Sequence, residues 1–272
     1  MMQLSQINIF PVKSLDGYST ESAIVEKRGL QYDRRWLITE PDGMFMTQRT
    51  HGRMALLKAV IEDNFLIIFE KENPQNSVKI GLDTEGSDMS VTVWDDTISA
   101  SRTTNEADDF LSNFIEKRCF LAKMNDKTDR RVEEDYNLGD DIVSFADAYP
   151  FLIIGESSMK DLNERLDVPL SIRRFRTNFV FSGGAPFIED AFKNFKIGGV
   201  DFVGVKRCAR CVLTTRDPDN GTKGREPLAT LQTFRAHGTK ILFGQNVVFD
   251  ARKWEWATQP EVKIGDLLLV TG

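Results

Sequence analysis

Short apolar segments separated by turn signals dominate the first hundred residues, and this confines the chain to a strand-rich fold. Residues 3–11 alternate through Leu4, Ile7 and Ile9, while residues 23–26 and 35–39 are brief and apolar. Residues 56–62 and 65–70 flank an Asp63-Asn64 turn, and residues 91–94 and 98–100 bracket Asp95-Asp96 as a second hairpin. Asp-Gly at 16–17 and 42–43 and Glu-Gly at 85–86 mark further turns. A helix is predicted from Thr104, because Ala107, Phe110, Leu111, Phe114 and Ile115 recur on one face and acidic residues sit in its first turn. Residues 125–141 are dense in charge and poor in apolar side chains, and read as a loop or linker.

The second half mixes element types. Strands are predicted over 150–155, 178–182, 200–206, 241–249 and 267–270, and the β-branched run 212–215 also reads as a strand. A helix over 157–166 turns Met159, Leu162 and Leu166 inward. Glu226-Pro227 opens another through Phe234, with Pro227 at its first position. The expected class is mainly β (α+β): a barrel-like fold with a few peripheral helices.

Composition removes several functions. Formal charge is −6, from 35 basic and 41 acidic residues, which disfavours a dedicated nucleic-acid binder. No apolar run approaches the roughly 18 residues of a membrane span, and the start lacks a signal-peptide pattern. Three cysteines among 272 residues argue against a disulfide scaffold and for a reducing, cytoplasmic setting. With only two histidines, His51 and His237, a multi-histidine metal site is excluded.

Chemistry must therefore come from other residues. Cys208 and Cys211 lie three positions apart among Lys206, Arg207 and Arg210. Nearby cations favour the thiolate, the form that ligates metals and attacks electrophiles. A zinc site would need four ligands, and no second cysteine pair exists. By spacing alone the pair reads as small buried hydrophobes ahead of any functional thiol. Lys13-Ser14, at the end of the first strand, could hold a phosphate, although the glycine spacing of a P-loop is missing. Asp33-Arg34-Arg35-Trp36 and Arg173-Arg174-Phe175-Arg176 offer guanidinium groups for phosphate or flat rings, or for surface ion pairs.

Seven short stretches in order carry a resemblance. They are Phe10-Pro11-Val12-Lys13-Ser14, Asp33-Arg34-Arg35-Trp36, the run from Phe145 to Phe151, Arg174-Phe175-Arg176-Thr177-Asn178, the run from Cys208 to Thr215, the run from Glu226 to Leu231, and Phe243-Gly244-Gln245-Asn246. Together they resemble the MOSC superfamily, in particular its two-part members, the amidoxime-reducing components and bacterial reductases of N-hydroxylated compounds. The resemblance implies an N-terminal β domain over 1–120 and a MOSC β-barrel over 121–272, with a molybdenum cofactor (molybdopterin) between them. It implies Cys211 as the ligand to the metal, and Lys13, Ser14, Arg34, Arg176, Arg210 and Asn246 at cofactor-contact positions. It places Asp147 near the metal, where proton delivery would be its role. Ala148 and Tyr149 stand where the mitochondrial members have small hydroxylated residues, and Asn246 stands where tyrosine is usual.

What the resemblance implies for function is a molybdenum-dependent oxidoreductase that reduces N-hydroxylated small molecules. The rival is a carrier that uses the Cys211 thiolate to hold sulfur or the cofactor. A dinucleotide fingerprint is missing and three cysteines cannot complete a four-thiolate iron–sulfur site, so electrons are expected from a separate flavoprotein or ferredoxin-type donor. Neither nucleic acid nor membrane is expected as a partner.

Overall fold

The computed structural model describes residues 1–271. Strands make up 39% of the chain and helical segments 19%, so the mainly β expectation holds. At its centre is a closed seven-strand barrel. Its order runs Phe151–Gly155, Phe179–Ser182, Met2–Ile9, Leu267–Val270, Asn194–Ile197, Val200–Ala209, Lys240–Phe249 and back to Phe151–Gly155. The Phe151–Gly155 strand closes the ring, pairing parallel with Phe179–Ser182 and antiparallel with Lys240–Phe249. Closure leaves no open sheet edge in the ring, which removes the template for edge pairing.

Aromatic side chains fill the barrel. Phe151, Phe179, Phe181, Phe195, Phe202 and Phe249 are buried together with Leu4, Ile7 and Ile153. The outer face of the Phe151–Gly155 strand is covered too: Leu152 and Ile154 pack with Met159, Leu162, Leu231 and Phe243 of flanking segments. Both faces being dry explains why residues 150–155 read as one continuous apolar run rather than an alternation.

Residues 18–137 carry a second set of sheets. Leu57–Glu62, Phe65–Glu70 and Ser77–Gly81 form a meander. Trp36–Thr39, Phe120–Met124, Asp96–Arg102 and Asp88–Val93 form a four-stranded sheet. The helix over Asn105–Ile115 starts where predicted, because Thr104 Oγ1 accepts from Ala107 N at 3.2 Å and satisfies a free first-turn donor. Residues 125–141 are loop apart from one short turn over Glu134–Tyr136.

Four local readings are corrected. Val212–Thr215 is a 3-10 turn and not a strand, since the Thr214 and Thr215 hydroxyls donate to the main-chain oxygens of Cys211 and Val212 at 2.9 and 2.8 Å. Pro227 precedes the Leu228–Arg235 helix as its cap instead of occupying its first position. The strand over Asp88–Val93 stops before Trp94, which lies in the turn. Ser77–Gly81 and Asn194–Ile197 are strands that the pattern did not reveal.

Candidate functional site

The segment leaving the first barrel strand crosses to the other sheets. Val12 bridges Trp36, and Lys13 N donates to Trp36 O at 2.9 Å. Phe10 N donates to Asp33 Oδ1 at 2.8 Å, while Arg34 N donates to Phe10 O, also at 2.8 Å. These bonds hold Lys13, Ser14 and Arg34 side by side. From the barrel, the short turn over Ile172–Phe175 brings Arg176 to the same place. Ser14, Arg34 and Arg176 all adopt left-handed backbone, at φ 66°, 50° and 53°. Such conformations are uncommon outside glycine and gather where a site must be pre-shaped.

A cavity of about 320 Å³ opens between these segments and the strand end at Ala209. Lys13, Ser14, Arg34, Asp147, Arg176, Arg210, Cys211 and Asn246 all line it, whereas Arg35 and Arg173 lie outside it in ion pairs with Glu26 and Asp126 and with Asp16 and Asp219. Two bulges in Val200–Ala209, between Gly204 and Lys206 and between Arg207 and Ala209, bend the strand on its approach to the cysteines. Gly204 is required there, because a Cβ would lie 2.1 Å from Phe192 O.

The walls are strongly cationic. Nine basic side chains and two acidic ones line the cavity in a protein whose net charge is −6. Part of this is structural: Arg174 pairs with Asp217 at 2.6 Å, and Arg34 pairs with Asp33. Arg176 is different. Its Nη1 donates to Leu15 O at 2.5 Å, but its Nη2 is buried and finds no partner among the described residues. Burial, together with the nearby Arg34 charge, lowers its pKa to about 10. Arg210 donates to Phe175 O at 2.7 Å and to Cys208 Sγ at 2.8 Å, leaving its buried Nε unpaired. Unpaired buried donors are costly, and two residues that carry them line this one cationic cavity, which suits an anionic or acceptor-rich occupant.

Cys211 is exposed and Cys208 half-buried. Arg49 Nη2 reaches Cys211 Sγ at 3.4 Å and Asp147 Oδ2 at 3.2 Å. Lys13 Nζ donates to Asp147 Oδ1 at 2.6 Å and to Phe145 O at 2.7 Å. Partial burial pushes the Asp147 carboxyl up, yet Lys13 and Arg49 outweigh this and hold it well below the usual carboxylate range. Burial of Lys13 pushes its ammonium down to about 8 against the pull of Asp147. Arg130 sits behind this loop, its side chain 5% exposed, donating to the main-chain oxygens of Ser144, Ala146 and Asp147 and pairing with Asp96. Sequence reasoning missed Arg49, Trp94 and Arg130: each stands outside any recognisable spacing and acts only through long-range packing.

Two family models account for most of the chain: the MOSC N-terminal beta barrel domain over residues 1–118 and the MOSC domain over residues 140–268. The chain belongs to the MOSC family. Among curated relatives it is similar to mitochondrial amidoxime-reducing component 1 of Mus musculus, at 29% identity covering 99% of this chain and 82% of that one. Mitochondrial amidoxime reducing component 2 of Homo sapiens is 31% identical over 85% of this chain and 72% of its own length. Molybdenum cofactor sulfurase of Solanum lycopersicum is 29% identical over 89% of this chain, which spans only 32% of that protein. No helix among the described residues is long and apolar enough to cross a membrane.

Proposed function

We propose that the cavity holds a molybdenum cofactor and that the protein reduces N-hydroxylated small molecules with electrons from a separate flavoprotein or ferredoxin-type donor. One observation carries the reading: Arg176 and Arg210, each with a buried nitrogen that finds no partner among the described residues, line the same cavity as the exposed Cys211 thiol. The donor set fits the group. Lys13, Ser14, Arg34 and Arg176 would hold its phosphate and polar ring edges, Arg210 and Asn246 would border it, and Cys211 would supply a soft thiolate to the metal. When bound, the cofactor supplies a two-electron centre able to take oxygen from an N–O bond.

The chain's own residues handle charge and protons. Arg49 places a guanidinium 3.4 Å from Cys211 Sγ and so fixes the sulfur at the cavity wall. Asp147 stays ionised at neutral pH, so it is not a reservoir of protons. Its carboxylate holds the Lys13 ammonium at the cavity wall, and Lys13, with its lowered pKa, is the group from which a proton leaves most easily. Asp147 acts here by position: its carboxylate orients the Lys13 ammonium and the Arg49 guanidinium beside the cavity.

The test is molybdenum content of protein from a molybdenum-replete host, measured beside reduction of benzamidoxime with a chemical electron donor. Stoichiometric metal with turnover supports the reading. A persulfide on Cys211, with neither metal nor turnover, would establish the carrier reading instead.

A further inference from the structure

We propose that Trp94 is a positioning residue that fixes Arg49 against Cys211 and Asp147; the inference rests on the reading of those two residues as the site. Trp94 occupies the first position of the two-residue turn between Val93 and Asp96, where its backbone is left-handed at φ 57°. Two-residue hairpins that need a positive φ there ordinarily use glycine, and for a bulky aromatic this is an outlier. Trp94 is also 45% exposed, so burial alone does not account for an aromatic in so strained a position.

Its contacts do. The Arg49 guanidinium lies over the indole at 4.6 Å from the ring centre, and Phe45 braces the ring edge-on at 5.0 Å. The indole Nε1 donates to Asp147 Oδ1 at 3.3 Å. Arg49 in turn bridges Asp147 Oδ2 and Cys211 Sγ. A long arginine side chain has many rotamers, and a flat ring beneath it helps to select one. Trp94 is thus the surface that turns Arg49 toward the thiol, and the strained turn is what delivers that surface to the Arg49 side chain in the cavity wall.

The experiment compares Trp94→Gly, which keeps the turn accessible but removes the ring, with Trp94→Phe, which keeps a ring and removes the N–H. In the metal-free protein, nitrogen-15 relaxation of the Arg49 Nε–H should report a rigid side chain in the parent and in Trp94→Phe. In Trp94→Gly its order parameter should fall below about 0.6. In the loaded protein, Trp94→Gly should lower kcat at least tenfold, with KM within twofold and molybdenum content unchanged. An Arg49 side chain as rigid in Trp94→Gly as in the parent overturns the proposal. So does mobility in Trp94→Phe, or a kcat within twofold of the parent at full loading. If the parent itself proves inactive, the proposed reductase function fails, while the relaxation measurement still decides whether Trp94 holds Arg49.

Discussion

Arg34 Nη2 donates to the main-chain oxygen of Arg176 at 2.8 Å, and both guanidinium groups lie against the single ring of Phe10, at 4.6 and 4.4 Å. Two like charges are thereby held together by a backbone acceptor and a shared aromatic face. Asp33 balances Arg34, whereas no carboxylate pairs with Arg176 among the described residues. The arrangement is electrostatically incomplete until an anion enters.

Arg176→Met should therefore separate stability from loading. Removing a buried, partly unsatisfied cation should leave the melting temperature of the metal-free protein unchanged or raised, because the desolvation cost disappears with the charge. Cofactor retention should weaken about ten- to a hundredfold, the equivalent of one charge-assisted contact of about 1.5–3 kcal/mol. Calorimetry of metal-free protein and molybdenum content after gel filtration measure the two effects. Full molybdenum retention would place Arg176 outside the binding set.

The two thiols should differ. Cys211→Ser is expected to abolish benzamidoxime reduction while shifting stability by less than about 0.5 kcal/mol, as befits an exposed side chain. Cys208→Ser keeps a group able to accept from Arg210 and should retain most activity. Equal losses would revive a mechanism that uses both thiols.

Lys13 predicts an alkaline signature. Its pKa is lowered in the fold to about 8 from 10.5, so the unfolded chain binds more protons between those values. The penalty for burying its charge is present in full below pH 8 and is relieved as pH rises toward 10.5. In urea titrations of metal-free protein, stability of the parent relative to Lys13→Met should climb across that window by an amount of order 3 kcal/mol at most. A constant difference between the two proteins would show that Lys13 titrates normally.

Asp147 predicts the acid side. Its pKa is lowered in the fold, so the stability it contributes is present above the unfolded value near 3.8 and is lost as pH falls toward the folded one. Because the side chain is more than half exposed, the effect should be modest. Asp147→Asn should flatten the acid limb of a stability–pH curve; an unchanged limb would place the charge balance elsewhere.

Arg130→Ala should cost more than any of these. It strands the main-chain oxygens of Ser144, Ala146 and Asp147, and each buried acceptor left unpaired costs about 1–3 kcal/mol. Arg130→Lys should recover part of the loss, as read by urea midpoints. A midpoint for Arg130→Ala equal to the parent's would mean that other groups hold this loop.

The strand-rich class was legible because turns and apolar periodicity are local properties, and residues 56–70 and 151–155 follow them closely. Ser77–Gly81 escaped because its alternation is short and mostly exposed, with only Ile80 fully buried. Val212–Thr215 misled because β-branched residues favour strands, while threonine hydroxyls can close a turn instead. In the site, cysteine spacing and paired arginines stood out by residue type. Arg49 and Trp94 did not, since an isolated arginine and an aromatic beside two aspartates carry no pattern until the fold sets them 4.6 Å apart.

The pairing of Gln3 with Leu267 joins the two ends of the chain in one sheet. The barrel therefore cannot close until Leu267–Val270 has been made: the Met2–Ile9 strand must wait for it. Topologies dominated by such distant pairings fold slowly and leave apolar strands exposed meanwhile. A ligand that needs the closed barrel would accordingly enter only once the Leu267–Val270 strand has joined it.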